Sequence, residues 1–221
     1  MNGIRNVLFD LDGTLVDSSL TISTCIDYAL DQVGTIPVSG VEVKALIGAP
    51  LLDIFLNTFQ MTQPQADSAI SHYREHYDRL EQAGSRVYDR VHDVLSRLGT
   101  AGYRLFIATV KPTSVATKVL IDLNLRSYFE GVAGASMGPD RRDKATIIAH
   151  ALNKFDLDPA QSLMIGDRDQ DIMGARANGM ASIAVTYGFG AWDELNSARP
   201  NHLVRDCGEI VSLLLNPSVA K

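Results

Sequence analysis

The chain has 221 residues, 46% of them hydrophobic and 21% charged, with a formal net charge of −6. That length allows one or two domains with a substantial core, the apolar runs are far too short to span a bilayer, and the acidic balance weighs against a nucleic acid polymer as partner. Cys25 and Cys207 are too few for a disulfide framework, and Met1 to Arg5 leaves no room for a signal peptide before the first strand, so the expectation is a cytoplasmic protein, monomeric or weakly dimeric, with no membrane contact.

Val7-Leu8-Phe9 reads as a buried parallel strand, since both faces are apolar. Asp10 then sits at the strand's carboxyl end, where open α/β sheets place their ligands. From Ser18 to about Leu80 the spacing turns helical. Leu20, Ile22, Cys25, Ile26, Ala29, Leu30 and Val33 share one face, with Asp17 or Ser18 as N-cap. Gly34 and Pro37 interrupt this pattern. Val41, Val43, Ala45, Leu46 and Ile47 predict a short second helix ended by Gly48. Leu51, Leu52, Ile54, Phe55 and Phe59 predict a third, and Pro64 opens a fourth carrying Ala66, Ala69, Ile70, Tyr73 and Tyr77. The simplest reading is a helical insert of roughly 65 residues, near the lower limit for an independent domain.

From Gly84 strands alternate with amphipathic helices, the pattern of a parallel sheet. Val91, Val94, Leu95 and Leu98 form a helix face closed by Gly99 and Gly102. Arg104 to Ala108 is a strand, Val115 to Leu123 a helix and Gly131 to Ala135 a weaker strand. Ile147 to Phe155 is helical, Leu163 to Ile165 a strand and Ile172 to Asn178 a helix. Ala181 to Val185 is a strand, Trp192 to Ala198 a helix, Leu203-Val204 a short strand, and Cys207 to Leu215 the last helix. The first strand must join this sheet. The predicted fold is α/β, a doubly wound Rossmann-like parallel sheet over 1–17 and 81–221, with an α-helical domain inserted at 18–80.

Three strand ends then share one crevice. The first carries Asp10 and Asp12, the second Thr109-Val110-Lys111, and the third Gly166-Asp167 with Asp171 beyond. Asp10, Asp12 and Asp167 would supply three acidic oxygens, which suit Mg²⁺ better than Zn²⁺. Thr109 offers a hydroxyl to a phosphate oxygen, and Lys144, opening its helix after the Gly138-to-Asp143 loop, could reach back with a positive charge. Each feature alone is also an ordinary turn or surface lysine, and Lys111 reads as an exposed lysine at a helix start. His72 and His76 flank Glu75 in the wrong order for a metalloprotease and read as a solvated helix face. Trp192 and the tyrosines read as packing residues, and no glycine-rich nucleotide-cofactor loop is present.

Asp10-Leu11-Asp12-Gly13-Thr14-Leu15-Val16-Asp17-Ser18 resembles the first motif of the haloacid dehalogenase-like (HAD) hydrolases throughout. Thr109, Lys144 and the pair Asp167 and Asp171 resemble the second, third and fourth, and 18–80 resembles the family's helical cap. The resemblance implies that Asp10 is the nucleophile and Asp12 the acid–base. It implies Mg²⁺ held by Asp10, the Asp12 backbone carbonyl and Asp167, with Asp171 in support, and a phosphoryl group clamped by Thr109, the Val110 N–H and Lys144. Val110 stands where many relatives have asparagine, and Pro139 lacks the frequent Lys-Pro pairing. Asp143-Lys144, Gly166 to Arg168, Asp171 to Gly179, Ile47 to Leu51 and Tyr73-Arg74 resemble the phosphoglycolate phosphatase-like and 5′-nucleotidase branch. Gly48, Arg74 and Lys111 are its candidate substrate-reading residues. A small phosphorylated metabolite is the expected partner, with a nucleoside 5′-monophosphate ahead of phosphoglycolate. A phosphomutase and a non-enzymatic phosphoacceptor module are the alternatives.

Overall fold

The computed structural model describes residues 3–35, 43–80, 84–136 and 143–215. The expectations at Pro37, Val41, residue 81 and the Gly138–Pro139 stretch lie outside them. The chain divides into two compact units, Met1–Val16 with Val87–Lys221, and Asp17–Arg86. The sequence placed the insert at 18–80.

The first unit is built on a six-stranded parallel sheet. Its strands are β1 (Asn6–Phe9), β4 (Arg104–Pro112), β5 (Gly131–Ala135), β6 (Ser162–Gly166), β7 (Ala181–Val185) and β8 (His202–Val204). The short β2 (Val16–Asp17) and β3 (Arg86–Val87) pair as a separate ribbon where the chain passes between the units. The sheet order is β5-β4-β1-β6-β7-β8, so successive strands run outward from β1 in both directions. The chain reverses direction there, and ligands bind outside strand carboxyl ends at such a point. The doubly wound α/β expectation is borne out.

The helices of this unit are α5 (Val91–Thr100), α6 (Thr113–Asp122), α7 (Lys144–Lys154), α8 (Asp169–Ala177), α9 (Trp192–Ala198) and α10 (Cys207–Leu215). One face of the sheet packs Leu8, Phe106, Ala108 and Met164 against Ile147, Ile148 and Ala151 of α7 and Ala175 of α8. Alternate strand residues point to the other face, where Phe9 meets Phe129 edge-on at 6.2 Å between ring centres. Each large aliphatic side chain buried this way contributes about 1.5–3 kcal/mol, which fixes the strand ends that carry the polar groups below.

Three local expectations need correction. Gly99 does not close α5 but lies inside it. Gly102, at φ +87°, is the stop: its N–H bonds the Gly99 carbonyl while Tyr103 N–H bonds that of Leu98, a pattern that needs a left-handed residue. Trp192 is not packed but 53% exposed; as the first residue of α9 it leans toward the helix start, while Leu195 and Ala198 make the buried stripe. Strand β4 runs four residues past Ala108, so Thr109, Val110 and Lys111 lie in the strand rather than after it.

The second unit contains α1 (Ser19–Gln32), α2 (Val43–Leu46), α3 (Leu51–Asp53) and α4 (Gln63–Leu80). Helix α1 buries Ile22, Cys25, Ile26, Ala29 and Leu30, but Leu20 is 58% exposed. Leu20 shares the outer side with Ser23 and Thr24, whose hydroxyls both donate to its carbonyl. The predicted third helix is α-helical only to Asp53 and continues as a π-helical turn over Ile54–Thr58. Helix α4 buries Ala66, Ala69, Tyr73 and Tyr77, with Pro64 in its first turn, where a missing N–H costs nothing. His72 and His76 are not a solvated face. Tyr28 of α1 stacks on His76 at 4.2 Å and meets His72 edge-on at 6.5 Å, because rings four residues apart on α4 flank a single ring on α1.

Candidate active site

The loop after β1 winds around one carbonyl. Leu11 O accepts from the N–H groups of Thr14, Leu15 and Val16, and Gly13 N–H donates to Val16 O at 2.8 Å. Gly13 takes φ +82°, a conformation that a side chain would strain. Asp10 N–H extends the β1–β6 ladder by donating to Ile165 O, so the Asp10 carboxylate leaves the sheet at a fixed point.

Asp10 is buried, and its Oδ1 accepts from Leu11 N–H at 2.7 Å. Its Oδ2 lies 2.9 Å from Lys144 Nζ. Lys144 is also buried, 2.6 Å from Asp171 Oδ1 and 3.1 Å from the Ala108 carbonyl to which it donates. The ammonium thus makes one hydrogen bond to a carbonyl and two buried ion pairs. Burial pulls the Lys144 ammonium down, but Asp10 and Asp171 outweigh it and hold the group up at about 12. The position of Lys144 is set by α7, whose N-cap Asp143 accepts from Thr146 N–H at 3.0 Å.

Asp171 is not in a loop before a helix at Ile172. Helix α8 begins at Asp169, and Asp171 Oδ2 reaches back from its first turn to accept from Arg168 N–H. Asp10, Asp167 and Asp171 are all buried and bring ligand oxygens within 4.8 Å of one another. This corrects the expected trio: the third carboxylate is Asp171, and the Asp12 carboxylate turns to Lys111 instead. Burial, then the charges of Asp10 and Asp171, push Asp167 up to about 8. Burial and Asp10 also raise Asp171, against the pull of Lys144. One ammonium against three carboxylates leaves excess negative charge, and an all-oxygen donor set of this kind fits a hard divalent cation such as Mg²⁺.

Asp12 and Lys111 form a second pair, Oδ2 to Nζ 2.6 Å. Lys111 is buried rather than exposed, because the longer β4 carries its side chain along the sheet end instead of out from a helix start. Asp12 Oδ1 is buried without a hydrogen-bond partner among the described residues. Thr109 is buried too, its oxygen accepting from Lys111 N–H. The Val110 side chain is half-buried beside the apolar cluster. Gly48 and Arg74 lie in the helical unit, Gly48 at φ +102° after α2 and Arg74 exposed on α4.

Sequence reasoning gave Thr14 no role of its own, read Tyr187 with the other tyrosines as packing, and assigned nothing to Gly188 through Gly190. Thr14 Oγ1 donates to Asp167 Oδ1 at 3.0 Å and Phe189 N–H to Asp167 Oδ2 at 2.8 Å. The available signal was Gly188-Phe189-Gly190, following Thr186-Tyr187 after the predicted strand Ala181–Val185, a fourth strand end on the same sheet.

A family model described as haloacid dehalogenase-like hydrolase matches residues 7–185. A 5′-nucleotidase of Pseudomonas aeruginosa is 34% identical over 209 residues, 95% of each chain. A phosphoglycolate phosphatase of Vibrio cholerae is 29% identical, over 97% of this chain and 99% of that one. Among solved structures, a haloacid dehalogenase-like family hydrolase from Streptococcus pneumoniae superimposes with a TM-score of 0.87 at 31% identity, covering 96% of this chain and 99% of its own.

Proposed function

The chain belongs to the haloacid dehalogenase-like hydrolases, and on that premise we propose that it is a phosphomonoester hydrolase that works through an aspartyl-phosphate on Asp10. The observation that carries this reading is a buried Asp10, fixed by Leu11 N–H and Lys144, two residues from an Asp12 oxygen left buried and unpartnered. An oxygen of Asp10 attacks phosphorus while the bond to the ester oxygen breaks, and Asp12 gives that oxygen its proton. Asp12 then takes a proton from the water that attacks the acyl phosphate, which frees phosphate and restores the Asp10 carboxylate. Lys144, the Thr109 hydroxyl and the Val110 N–H hold the phosphoryl oxygens as charge redistributes. Asp10, Asp167, Asp171 and the Asp12 carbonyl would hold Mg²⁺, which when bound neutralises phosphoryl charge.

In this reading the helical unit is the cap, and the proposed substrate-reading residues are Gly48 and Arg74 of that unit and Lys111 of the core. Nucleoside 5′-monophosphates are the proposed substrates. Gly48-Ala49-Pro50 is small and apolar, Val110 removes a polar group from the β4 end, and the P. aeruginosa 5′-nucleotidase supports the same choice. Phosphate release with Mg²⁺ across nucleoside monophosphates and phosphoglycolate tests it. The expected result is a higher kcat/KM for the nucleotides, changed less than about threefold by Arg74→Ala, under about 0.7 kcal/mol. A lead for phosphoglycolate of tenfold or more, about 1.4 kcal/mol, that Arg74→Ala abolishes would make phosphoglycolate the substrate instead.

A further inference from the structure

The mechanism above gives no task to the end of β7, yet that strand end closes around Asp167. Both oxygens of Asp167 are engaged from outside its own loop, Oδ1 by the Thr14 hydroxyl and Oδ2 by the Phe189 N–H. Each oxygen keeps a further lone pair. Thr14 is itself held, because the Tyr187 hydroxyl donates to its carbonyl at 2.9 Å. The Tyr187 ring is braced edge-on by Tyr88 at 5.0 Å.

The glycines here are required by space. A Cβ on Gly188 would fall 2.4 Å from Asp167 Cβ and 2.4 Å from the Gly13 carbonyl oxygen, and one on Gly190 would fall 1.9 Å from the Asp167 carbonyl oxygen. A Cβ on Gly13 would meet Asp167 Oδ2 at 2.1 Å. Three glycines from two loops therefore let backbone close directly on Asp167, two of them on its side chain and Gly190 on its carbonyl. Gly188 and Gly190 lie outside the left-handed region, so close approach is what excludes a side chain from them.

We infer that Tyr187, Gly188, Phe189 and Gly190, together with Thr14, form a positioning device that holds the Asp167 carboxylate in one orientation for the divalent cation. These are positioning residues; they act through Asp167. The inference rests on the metal-dependent reading above. Its consequence is that removing a hydroxyl that never touches the cation weakens cation binding, as loss of an orienting partner does elsewhere by about 10–100-fold.

Calorimetric titration of the purified, phosphate-free full chain with Mg²⁺ reads this directly, without turnover. Thr14→Val keeps the buried shape and removes the donor to Asp167; Thr14→Ser keeps the donor. The expected result is a Kd for Mg²⁺ raised about tenfold or more by Thr14→Val and near the wild-type value for Thr14→Ser. Tyr187→Phe, one bond further out, raises it by a smaller factor. Gly188→Ala raises it at least as much as Thr14→Val, but it risks misfolding, so the near-isosteric hydroxyl deletions decide. Folded Thr14→Val and Tyr187→Phe proteins that bind Mg²⁺ as tightly as wild type would overturn the inference and leave the metal-dependent reading standing. A wild-type protein that takes up no Mg²⁺ would overturn both.

Discussion

The α/β core and the helical unit of Asp17–Arg86 hold polar groups in opposite ways. In the core, the ends of β1, β4 and β6, with the first turns of α7 and α8, supply Asp10, Lys111, Asp167, Lys144 and Asp171. Almost every oxygen and ammonium has a named partner at a fixed distance. In the helical unit, the buried interface of α1 and α4 is aliphatic and aromatic, with Tyr28 against His76 and Tyr73 stacked on Tyr77. Arg74 stands on the exposed side of the same helix. A sheet register dictates where a strand-end carboxylate points, whereas a helix face leaves its outer residues free to change. On the proposed reading, chemistry belongs to the core, and selectivity can drift in the insert without disturbing it.

The largest effect that would sharpen this contrast is at Asp10. Asp10→Asn keeps the Leu11 N–H bond but provides no oxygen able to attack phosphorus, so turnover should fall nearly to background while the chain stays folded. Phosphate release by the purified variant checks it, and substantial residual turnover would break the assignment of chemistry to this strand end.

The contrast also explains what the sequence revealed. Core elements were legible because apolar runs and helical stripes alternate with little ambiguity; β5, β7, α9 and α10 fall at the expected residues. The extension of β4 through Pro112 was not, since Thr109-Val110-Lys111-Pro112 lacks a strand's pattern and is held by pairing with β5 across a register shift. The burial of Lys111 followed from that and was equally invisible. Asp10, Asp167 and Asp171 were legible by place, but the spacing also grouped the Asp12 carboxylate with Asp10 and Asp167, because spacing says nothing of which way a side chain turns, here to Lys111. Thr14 and Gly188 went unassigned because their value lies in contacts across 153 and 21 positions of sequence with Asp167. In the helical unit, the stacking of Tyr28 on His76 depends on the relative rotation of two helices, which one-dimensional periodicity does not contain.

A second, smaller effect separates the two buried lysines. Lys144 neutralises Asp10 and Asp171 together, and both are almost wholly buried. Lys144→Ala should lower kcat/KM by on the order of 100-fold or more. It should also lower stability by about 3–5 kcal/mol, since breaking a buried pair strands the remaining charges. Lys111 pairs with Asp12 at the less enclosed edge of the site, so Lys111→Ala should cost less on both measures. Steady-state kinetics and urea unfolding of the two variants check this. Equal, mild losses at both positions would show that neither lysine is the phosphoryl clamp.

The smallest expected effect concerns how each region starts a helix. In α7 of the core, Asp143 caps by side chain, accepting from Thr146 N–H and from the Thr146 hydroxyl. In α1 of the helical unit, Ser18 occupies the N-cap position, but its hydroxyl is buried without a partner among the described residues. The Ser19 N–H and hydroxyl donate instead to Asp17 Oδ1. Asp143→Ala should therefore cost about 1 kcal/mol at neutral pH, while Ser18→Ala should be neutral or slightly stabilising, because it removes an unsatisfied buried hydroxyl. The two should also differ in pH dependence. The Thr146 N–H, acting against partial burial, lowers the Asp143 carboxyl below its ordinary value, so its folded-state pKa lies below its unfolded one. Its stabilisation is then complete above the unfolded Asp value of about 3.9 and fades as pH falls through the lowered folded value. Urea unfolding from neutral pH down to about 3 should show the gap between wild type and Asp143→Ala narrowing toward the acid end, and the gap for Ser18→Ala staying flat, since a hydroxyl carries no proton to exchange. A gap for Asp143→Ala that does not change with pH would mean that the carboxylate is not what caps α7.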